Sequence, residues 1–115
     1  MIPTTILVPL DGSALAERAL PVAEALADRL GSDLLLMTTR WDDDPQSPQA
    51  YLEGVSDRIT DTPTHTVVVH DRGPADAIDC LAGEQPGRTV CMTSHGRGGL
   101  RWAFIGSVAE EVLHR

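Results

Sequence analysis

Short apolar runs alternate with stretches of helical periodicity along this chain. A continuous apolar run indicates a strand buried on both faces of a parallel sheet, and apolar residues three or four positions apart indicate a helix. The runs predict four strands, at residues 4–10, 33–39, 64–70 and 88–94. The spacing predicts helices at residues 14–30, 49–59 and 73–82, and a last helix that begins at 107. This alternation is typical of an α/β domain with right-handed crossovers.

The first predicted helix carries signals at its start, its middle and its end. Ser13 can cap its first turn, and Gly31 can end it in a left-handed conformation. Pro21 lies inside the helix and is expected to kink it, because proline lacks the N–H that a helix interior requires. Ser47 and Pro48 mark the start of the second helix.

Length and charge narrow the class of protein. A chain of 115 residues fits a single domain, which we expect to extend over residues 1–115. The formal net charge is −8, and all nine basic residues are arginine. Without a lysine, neither a P-loop nor a protein-kinase site can be built. An acidic chain with so few aromatic residues also lacks the positive field and the stacking surface that nucleic-acid binding needs.

The N-terminal residues indicate no targeting to a membrane. The first apolar run has no basic leader and is interrupted at Asp11, and the apolar runs are too short to cross a bilayer. Cys80 and Cys91 form no C-x-x-C pair and suit a reducing compartment. We therefore expect a cytoplasmic protein that binds neither membranes nor nucleic acid.

A glycine-rich stretch, SHGRGGLRWAFIGS, follows the fourth predicted strand. Glycine permits a positive φ and a close backbone approach, which a phosphate-binding loop needs and which an ordinary turn also uses. Ser107 and Glu110 match the S-x-x-E capping box, so Ser107 can cap the last helix and can also face an anion at the helix N-terminus. The stretch is therefore compatible with a phosphate site and with a turn.

Asp11 stands at the end of the first predicted strand. Ligands of doubly wound sheets bind at the carboxyl ends of strands where the winding reverses, and a carboxylate there can accept hydrogen bonds from a base or a ribose. The other interpretation is a turn residue, because Asp-Gly sequences favour turns. The histidines and the three consecutive aspartates at residues 42–44 match no known spacing of metal ligands. We therefore expect no metal site formed by the protein alone.

Known catalytic motifs fail in detail. A dinucleotide fingerprint read from Gly96 would need a glycine where Arg101 stands, and a G-x-S-x-G nucleophile elbow fails because Met92 holds its first position. Ser94 and His95 are adjacent and lack an orienting acid. We therefore expect at most slow hydrolysis of a bound nucleotide.

Three segments together resemble the universal stress protein family: ILVPLDGSALAERAL, RGPADAIDCLA and SHGRGGLRWAFIGSVAEEVL. The resemblance covers nearly the whole chain in the right order. It implies a Rossmann-like fold of the adenine nucleotide alpha hydrolase type, with helices on both faces of one doubly wound parallel sheet and strand order 3-2-1-4-5. Asp11 would then lie beside the segment from Gly96 to Ser107.

The ATP-binding branch of that family carries the motif G-x2-G-x9-G-[S/T], which Gly96, Gly106 and Ser107 match in part. The resemblance implies that Asp11 faces adenosine, that the Thr39 backbone meets adenine, and that the amides of residues 106–108 hold phosphate. The full set of expected ligand contacts is Pro9, Leu10, Asp11, Thr39, Thr93, His95, Gly96, Arg97, Gly99, Gly106, Ser107 and Val108.

The chain departs from the family pattern in two places. Thr93 stands where the motif has its first glycine, and its branched side chain would crowd the ribose and phosphates. The usual fifth strand is absent from the predicted elements, which would leave residues 89–92 as an open apolar edge of a kind that proteins ordinarily cover. Either the gene product is longer, the chain is shortened, or a partner strand fills the edge.

We therefore expect a universal stress protein domain that binds an adenine nucleotide, ATP with or without Mg²⁺, at the ends of strands 1 and 4. A homodimer and a stress-response or regulatory role follow from the same resemblance. The alternative is a stress protein in which Thr93 closes the pocket and which acts through dimerisation only. An ATP pyrophosphatase is disfavoured, because such enzymes carry a phosphate loop where this chain has only residues 11–13.

Overall fold

The computed structural model describes residues 5–39, 47–84, 87–96 and 99–106. The strands in this part of the chain are β1 (Thr5–Pro9), β2 (Asp33–Thr39), β3 (Thr64–Val69), β4 (Arg88–Gly96) and β5 (Gly99–Gly106). The helices are α1 (Ala14–Glu17), α2 (Ala19–Leu30), α3 (Pro48–Asp57) and α4 (Pro74–Glu84).

All of these strands join one sheet in the order β3-β2-β1-β4-β5. The first four strands run parallel, and the β1–β2 register extends from Thr5 opposite Asp33 to Pro9 opposite Met37. β1 lies at the centre, where the winding reverses between β2 and β4. The predicted α/β fold with a doubly wound parallel sheet is therefore confirmed, together with the order 3-2-1-4 that the family resemblance implies for the four parallel strands.

Helices cover both faces of the sheet, because the central strands are apolar on both sides. Ile6 and Leu36 are fully buried in a cluster that includes residues of α2 and α3. Leu7 and Met37, which have the opposite orientation, are buried in a second cluster that includes residues of α4. The continuous apolar runs of the sequence thus correspond to strands between two helical layers.

The first predicted helix is divided at Arg18 into α1 and α2. Pro21 explains the break, because it lacks the N–H that would bond the carbonyl of Glu17 and its ring crowds that carbonyl. The predicted kink is therefore present, one turn before the proline. Ser13 caps α1, and Gly31 ends α2 with a φ of 67°. The end signals of this segment were predicted from the sequence.

The fifth strand corrects the sequence analysis, which treats residues 96–106 as a loop and leaves β4 with an open edge. Gly99–Gly106 forms β5, which runs antiparallel to β4 from Gly99 opposite Gly96 to Gly106 opposite Thr89. The aromatic and branched residues within 100–105 favour a strand, and pairing with β4 covers the apolar edge. The helix predicted from Ser107 lies outside the described residues.

Candidate functional site

A cleft of about 210 Å³ opens at the carboxyl ends of β1 and β2, on the face of the sheet that α4 covers. Its apolar walls are formed by Leu10, Met37, Ile78 and Met92. Leu10 and Met37 are buried, and the other two side chains are partly buried. The cleft lies where the winding of the sheet reverses, which is the position that the sequence analysis predicts for a ligand.

The turn after β1 presents Asp11 at this cleft. Oδ1 of Asp11 accepts hydrogen bonds from the Ser13 amide at 2.9 Å and from the Ser13 hydroxyl at 2.5 Å. Gly12 between them has a φ of 86°, a left-handed conformation that glycine adopts without strain. Within the described ranges, Oδ2 of Asp11 receives no hydrogen bond. Asp11 is therefore a turn residue whose second carboxylate oxygen is not engaged by any described residue.

Ser13 connects this turn to α1. Its hydroxyl donates to Asp11 and also accepts from the Ala16 amide at 3.1 Å, as expected of a helix cap. The Glu17 amide donates to the Ser13 carbonyl at 3.3 Å. Ser13, Leu15 and Ala16 all line the cleft, although the sequence analysis treats them only as a helix start. The sequence feature that could have identified these residues as part of the cleft is the start of a helix directly after a central strand.

The structure brings four of the expected contacts together, because Pro9, Leu10, Asp11 and Thr39 all line the cleft. Met37 and Met92 also line it and are absent from the expected set. Their signal in the sequence is their position near the carboxyl ends of two strands that flank β1.

The end of β4 projects past the end of β1. The β1–β4 register, which places Leu7 opposite Val90, puts Met92 level with Pro9 when it is continued. β4 then runs on through Thr93 to Gly96. Thr93, His95 and Gly96 therefore follow a cleft residue at the carboxyl end of the sheet, and Gly99 pairs with Gly96 there.

Gly106 lies at the other end of the hairpin, opposite Thr89. At about 3.4 Å per residue, the strand from Gly99 to Gly106 is roughly 24 Å long. The structure therefore does not bring Gly106 to the edge where Asp11 lies, because antiparallel pairing extends the whole segment along β4. Arg97, Ser107 and Val108 lie outside the described residues. Ligand contacts of these residues stay predictions.

Beside the cleft, three side chains join α1 to α3. The Tyr51 hydroxyl donates to Oε2 of Glu17 at 2.7 Å, and Nη2 of Arg58 donates to Oε1 at 2.8 Å. The hydrogen bond from Arg58 lowers the pKa of Glu17 below its ordinary value. Burial, together with the neighbouring Glu17 carboxylate, raises the pKa of Tyr51. Glu17 is thus a carboxylate held by two donors, and its side chain is 23% exposed.

In the described ranges, no three His, Cys, Asp or Glu side chains lie close enough to hold a metal ion. His65 pairs with Asp33 at 3.4 Å, at the start of β2 and β3 and therefore at the opposite edge of the sheet from the cleft. None of the helices in those ranges is long and apolar enough to cross a membrane.

Comparison with known sequences identifies close similarity to one family. The sequence model of the Universal stress protein family matches residues 3–115. Universal stress protein Rv2005c of Mycobacterium tuberculosis is 34% identical over 126 residues, which cover 95% of this chain and 41% of that protein. Universal stress protein Rv1996 of the same species is 31% identical over 130 residues, which cover 95% of this chain and 40% of that protein. The chain thus spans about two fifths of the length of these curated relatives.

Solved structures with the same fold come from similarly named proteins. The crystal structure of a universal stress protein in complex with cAMP has a TM-score of 0.56 and 29% identity, covering 73% of this chain and 66% of that chain. Universal stress protein UspA from Lactobacillus plantarum has a TM-score of 0.62 and 20% identity, covering 99% of this chain and 92% of that chain. The Rossmann-like α/β architecture is therefore shared with known structures.

Proposed function

Because the chain belongs to the universal stress protein family, we propose that the cleft at the carboxyl ends of β1 and β2 binds an adenine nucleotide. The observation that carries this proposal is the position of Asp11, which Ser13 holds beside an apolar cleft with one carboxylate oxygen that no described residue engages. A ligand with a flat apolar ring and neighbouring hydroxyl donors matches this combination. Adenosine has both groups, and the similar crystal structure in complex with cAMP supports an adenine nucleotide.

Backbone groups at the end of β2 support a binding position for the adenine ring next to Thr39. The Met37 carbonyl accepts a hydrogen bond from the Leu10 amide at 2.8 Å and therefore points toward β1. Backbone groups of a strand alternate in direction, so the N–H and C=O of Thr39, two residues later, point the same way. β1 has ended at that level, and the N–H and C=O of Thr39 have no backbone hydrogen-bond partner on this side among the described residues, so both can meet the polar edge of a base.

The size of the cleft favours the nucleoside part of the ligand. Its volume of about 210 Å³ is below the roughly 300–1,000 Å³ of pockets that enclose whole drug-sized ligands. Adenine and ribose would occupy it, and the phosphates would extend toward the end of β4. We propose ATP as the nucleotide, with Mg²⁺ coordinated mainly by the phosphates rather than by protein side chains.

Calorimetric titration of the protein with ATP and Mg²⁺ tests the proposal, after mass spectrometry of a denatured sample has excluded nucleotide that is already bound. We expect micromolar affinity, which corresponds to about −8 kcal/mol. Parallel titrations with ADP and cAMP identify the preferred nucleotide. Absence of binding by nucleotide-free protein would contradict the proposal and favour the alternative of a stress protein that acts through dimerisation only.

The variant Asp11→Asn tests the residue on which the proposal depends. Loss of the charged acceptor should weaken ATP binding about tenfold, since hydrogen bonds to charged groups contribute about 1.5–3 kcal/mol. Asp61→Asn is the matched control, because Asp61 is exposed and lies just before β3, at the opposite edge of the sheet. If both variants bind ATP with the affinity of the unaltered protein, Asp11 does not contribute to the nucleotide site.

We further propose that this binding module works as a cytoplasmic homodimer in a stress-response or regulatory role, with at most slow ATP hydrolysis. The support comes from family membership and from the free thiols of Cys80 and Cys91, which suit a reducing compartment. Light scattering on a size-exclusion column, with and without ATP, measures the oligomeric state. A monomer under both conditions would contradict this part of the proposal.

A further inference from the structure

The side chains of Glu17, Tyr51 and Arg58 form a hydrogen-bonded group that we call the α1–α3 clamp. Its side chains are outside the set that lines the cleft, and the proposed nucleotide contacts do not include them. We propose that the α1–α3 clamp is a positioning device: it holds α1 in place and, through α1, orients Ser13 and Asp11 for the nucleotide. The inference rests on the proposed nucleotide binding and adds residues that act on the site without touching the ligand.

α1 needs such support because it is four residues long and separate from α2. A helix of this length is not stable by itself, since the first turn costs more conformational entropy than its few hydrogen bonds return. The Arg18 amide donates to the Leu15 carbonyl at 3.2 Å, which closes the turn at the break. Pro21 removes the donor that would continue the helical ladder from the Glu17 carbonyl. Tertiary contacts must therefore contribute to the position of α1.

A short series of hydrogen bonds leads from the clamp to the cleft. The Glu17 amide donates to the Ser13 carbonyl, and the Ala16 amide donates to the Ser13 hydroxyl. Ser13 in turn donates twice to Oδ1 of Asp11. Leu15 and Ala16, which lie between the clamp and the cap, line the cleft directly. A displacement of Glu17 would therefore move Ser13 and, with it, the carboxylate that we assign to the ligand.

α3 provides a rigid attachment for the clamp. Its residues Leu52 and Val55 are buried against the sheet, and Tyr51 packs against the same cluster. The Tyr51 hydroxyl bonds an ionised carboxylate in a partly buried setting, where charge-assisted hydrogen bonds are strong. Arg58 is 63% exposed, so solvent screens its ion pair with Glu17. We therefore expect Tyr51 to contribute more than Arg58 to the position of Glu17.

Nucleotide affinity of two clamp variants is the first test. Glu17→Gln should weaken ATP binding about fivefold, and Tyr51→Phe should weaken it by a similar factor. Glu53→Gln is the matched control, because Glu53 is an exposed residue of α3 that bonds only Gln49 among the described hydrogen bonds. If the unaltered protein binds ATP and both clamp variants bind it with the same affinity, the proposal that the α1–α3 clamp orients the site is overturned.

A double-variant experiment separates positioning from a general loss of stability. Because Glu17 acts through Ser13, Glu17→Gln should weaken ATP binding less than twofold when Ser13→Ala is already present. Its effect on the melting temperature should persist in that background. A fivefold loss of affinity in both backgrounds would show that Glu17 acts by another route and would overturn the inference.

Hydrogen exchange tests the clamp without a nucleotide. The Ala16 amide is protected by the Ser13 hydroxyl, so Glu17→Gln and Tyr51→Phe should each raise its exchange rate at least tenfold. The Leu36 amide, in the buried centre of β2, serves as an internal control and should be unchanged. An unaltered exchange rate of the Ala16 amide in both variants would overturn the proposal that the α1–α3 clamp holds α1 in place. Failure of unaltered protein to bind ATP would instead contradict the proposed function, and the exchange data would still decide whether the clamp positions α1.

Discussion

The β1–α1 junction (residues 9–17) and the β4–β5 hairpin (residues 88–96 and 99–106) begin at neighbouring strands of the same sheet, but local sequence determines them to different degrees. In the junction, Ser13 bonds Asp11 two residues before it and Ala16 three residues after it. In the hairpin, Gly106 is matched with Thr89, seventeen positions earlier in the chain. Short-range hydrogen bonds can be predicted from residue types, whereas a glycine-rich segment adopts the structure that its pairing partner permits.

This difference divides the proposed site into two parts. The nucleoside part depends on Asp11 and Thr39, which the structure places in one cleft. The phosphate part depends on the segment from Gly96 to Val108, where the phosphate contacts are expected from the G-x2-G-x9-G-[S/T] motif. Gly96 lies at the required edge of the sheet, and Gly106 lies at the far end of the hairpin. Four experiments test whether the two parts of the site differ in this way.

Gly106→Val should separate the motif from the hairpin by the largest margin. The motif predicts that the variant abolishes ATP binding and leaves the fold intact, because a branched side chain blocks the close approach of a phosphate to the backbone. The hairpin register, which places Gly106 opposite Thr89 and far from Asp11, predicts unchanged affinity. Calorimetry measures the affinity, and circular dichroism checks the fold. Gly54→Ala is the control, since a Cβ at Gly54 meets nothing within 4 Å. Unchanged affinity would show that the hairpin register persists in the bound protein and that Gly106 is not a ligand contact.

Ser13→Ala should cost about 1 kcal/mol of stability, as expected for the loss of a helix cap. It should also weaken ATP binding, because the hydroxyl orients Asp11. Ser47→Ala removes the equivalent cap of α3, where the hydroxyl accepts from the Ala50 amide at 3.4 Å, and should reduce stability without changing affinity. Urea denaturation and calorimetry give the two quantities. Equal losses of ATP affinity in both variants would contradict a specific role of the β1–α1 junction in nucleotide binding.

Acid should weaken the contact between α1 and α3. The hydrogen bond from Arg58 lowers the pKa of Glu17, so the charged form is favoured in the folded state. Its contribution to stability is complete above the ordinary carboxyl pKa of about 4.3 and is lost as the pH falls through the lowered value. The stability difference between unaltered protein and Glu17→Gln should therefore shrink below about pH 4. A difference that is the same at neutral and acidic pH would contradict this expectation.

Thr93→Gly should have the smallest effect, with an affinity for ATP that is equal or slightly raised. Thr93 directly follows the cleft residue Met92, and the motif has a glycine at its position. Removing the branched side chain should relieve crowding near the ribose. Thr93→Val keeps the branched shape without the hydroxyl and should bind as the unaltered protein does. A clear loss of affinity in both variants would show that the threonine hydroxyl contacts the ligand.

The strands β1, β2 and β3 were predicted within one residue at each end, because each is a continuous apolar or branched run between polar breaks. The Pro21 break and the Ser13 cap also followed from residue types. The β5 strand was missed, since glycines at both ends of residues 99–106 favoured a loop. The apolar lining from Ile78 was missed because this residue lies within a helix and carries no local signal for a ligand.

Local residue patterns were sufficient to predict the α/β alternation, the turn at Asp11, the start of α1 and the end of α2. The physical reason is that these features depend on backbone geometry and hydrogen bonds within a few residues. The contact between Glu17 and Tyr51, which are 34 positions apart, and the pairing of β5 with β4 became visible in the folded structure alone. Such contacts form between segments that meet after the sheet is assembled, so their free energy depends on partners that no local pattern specifies.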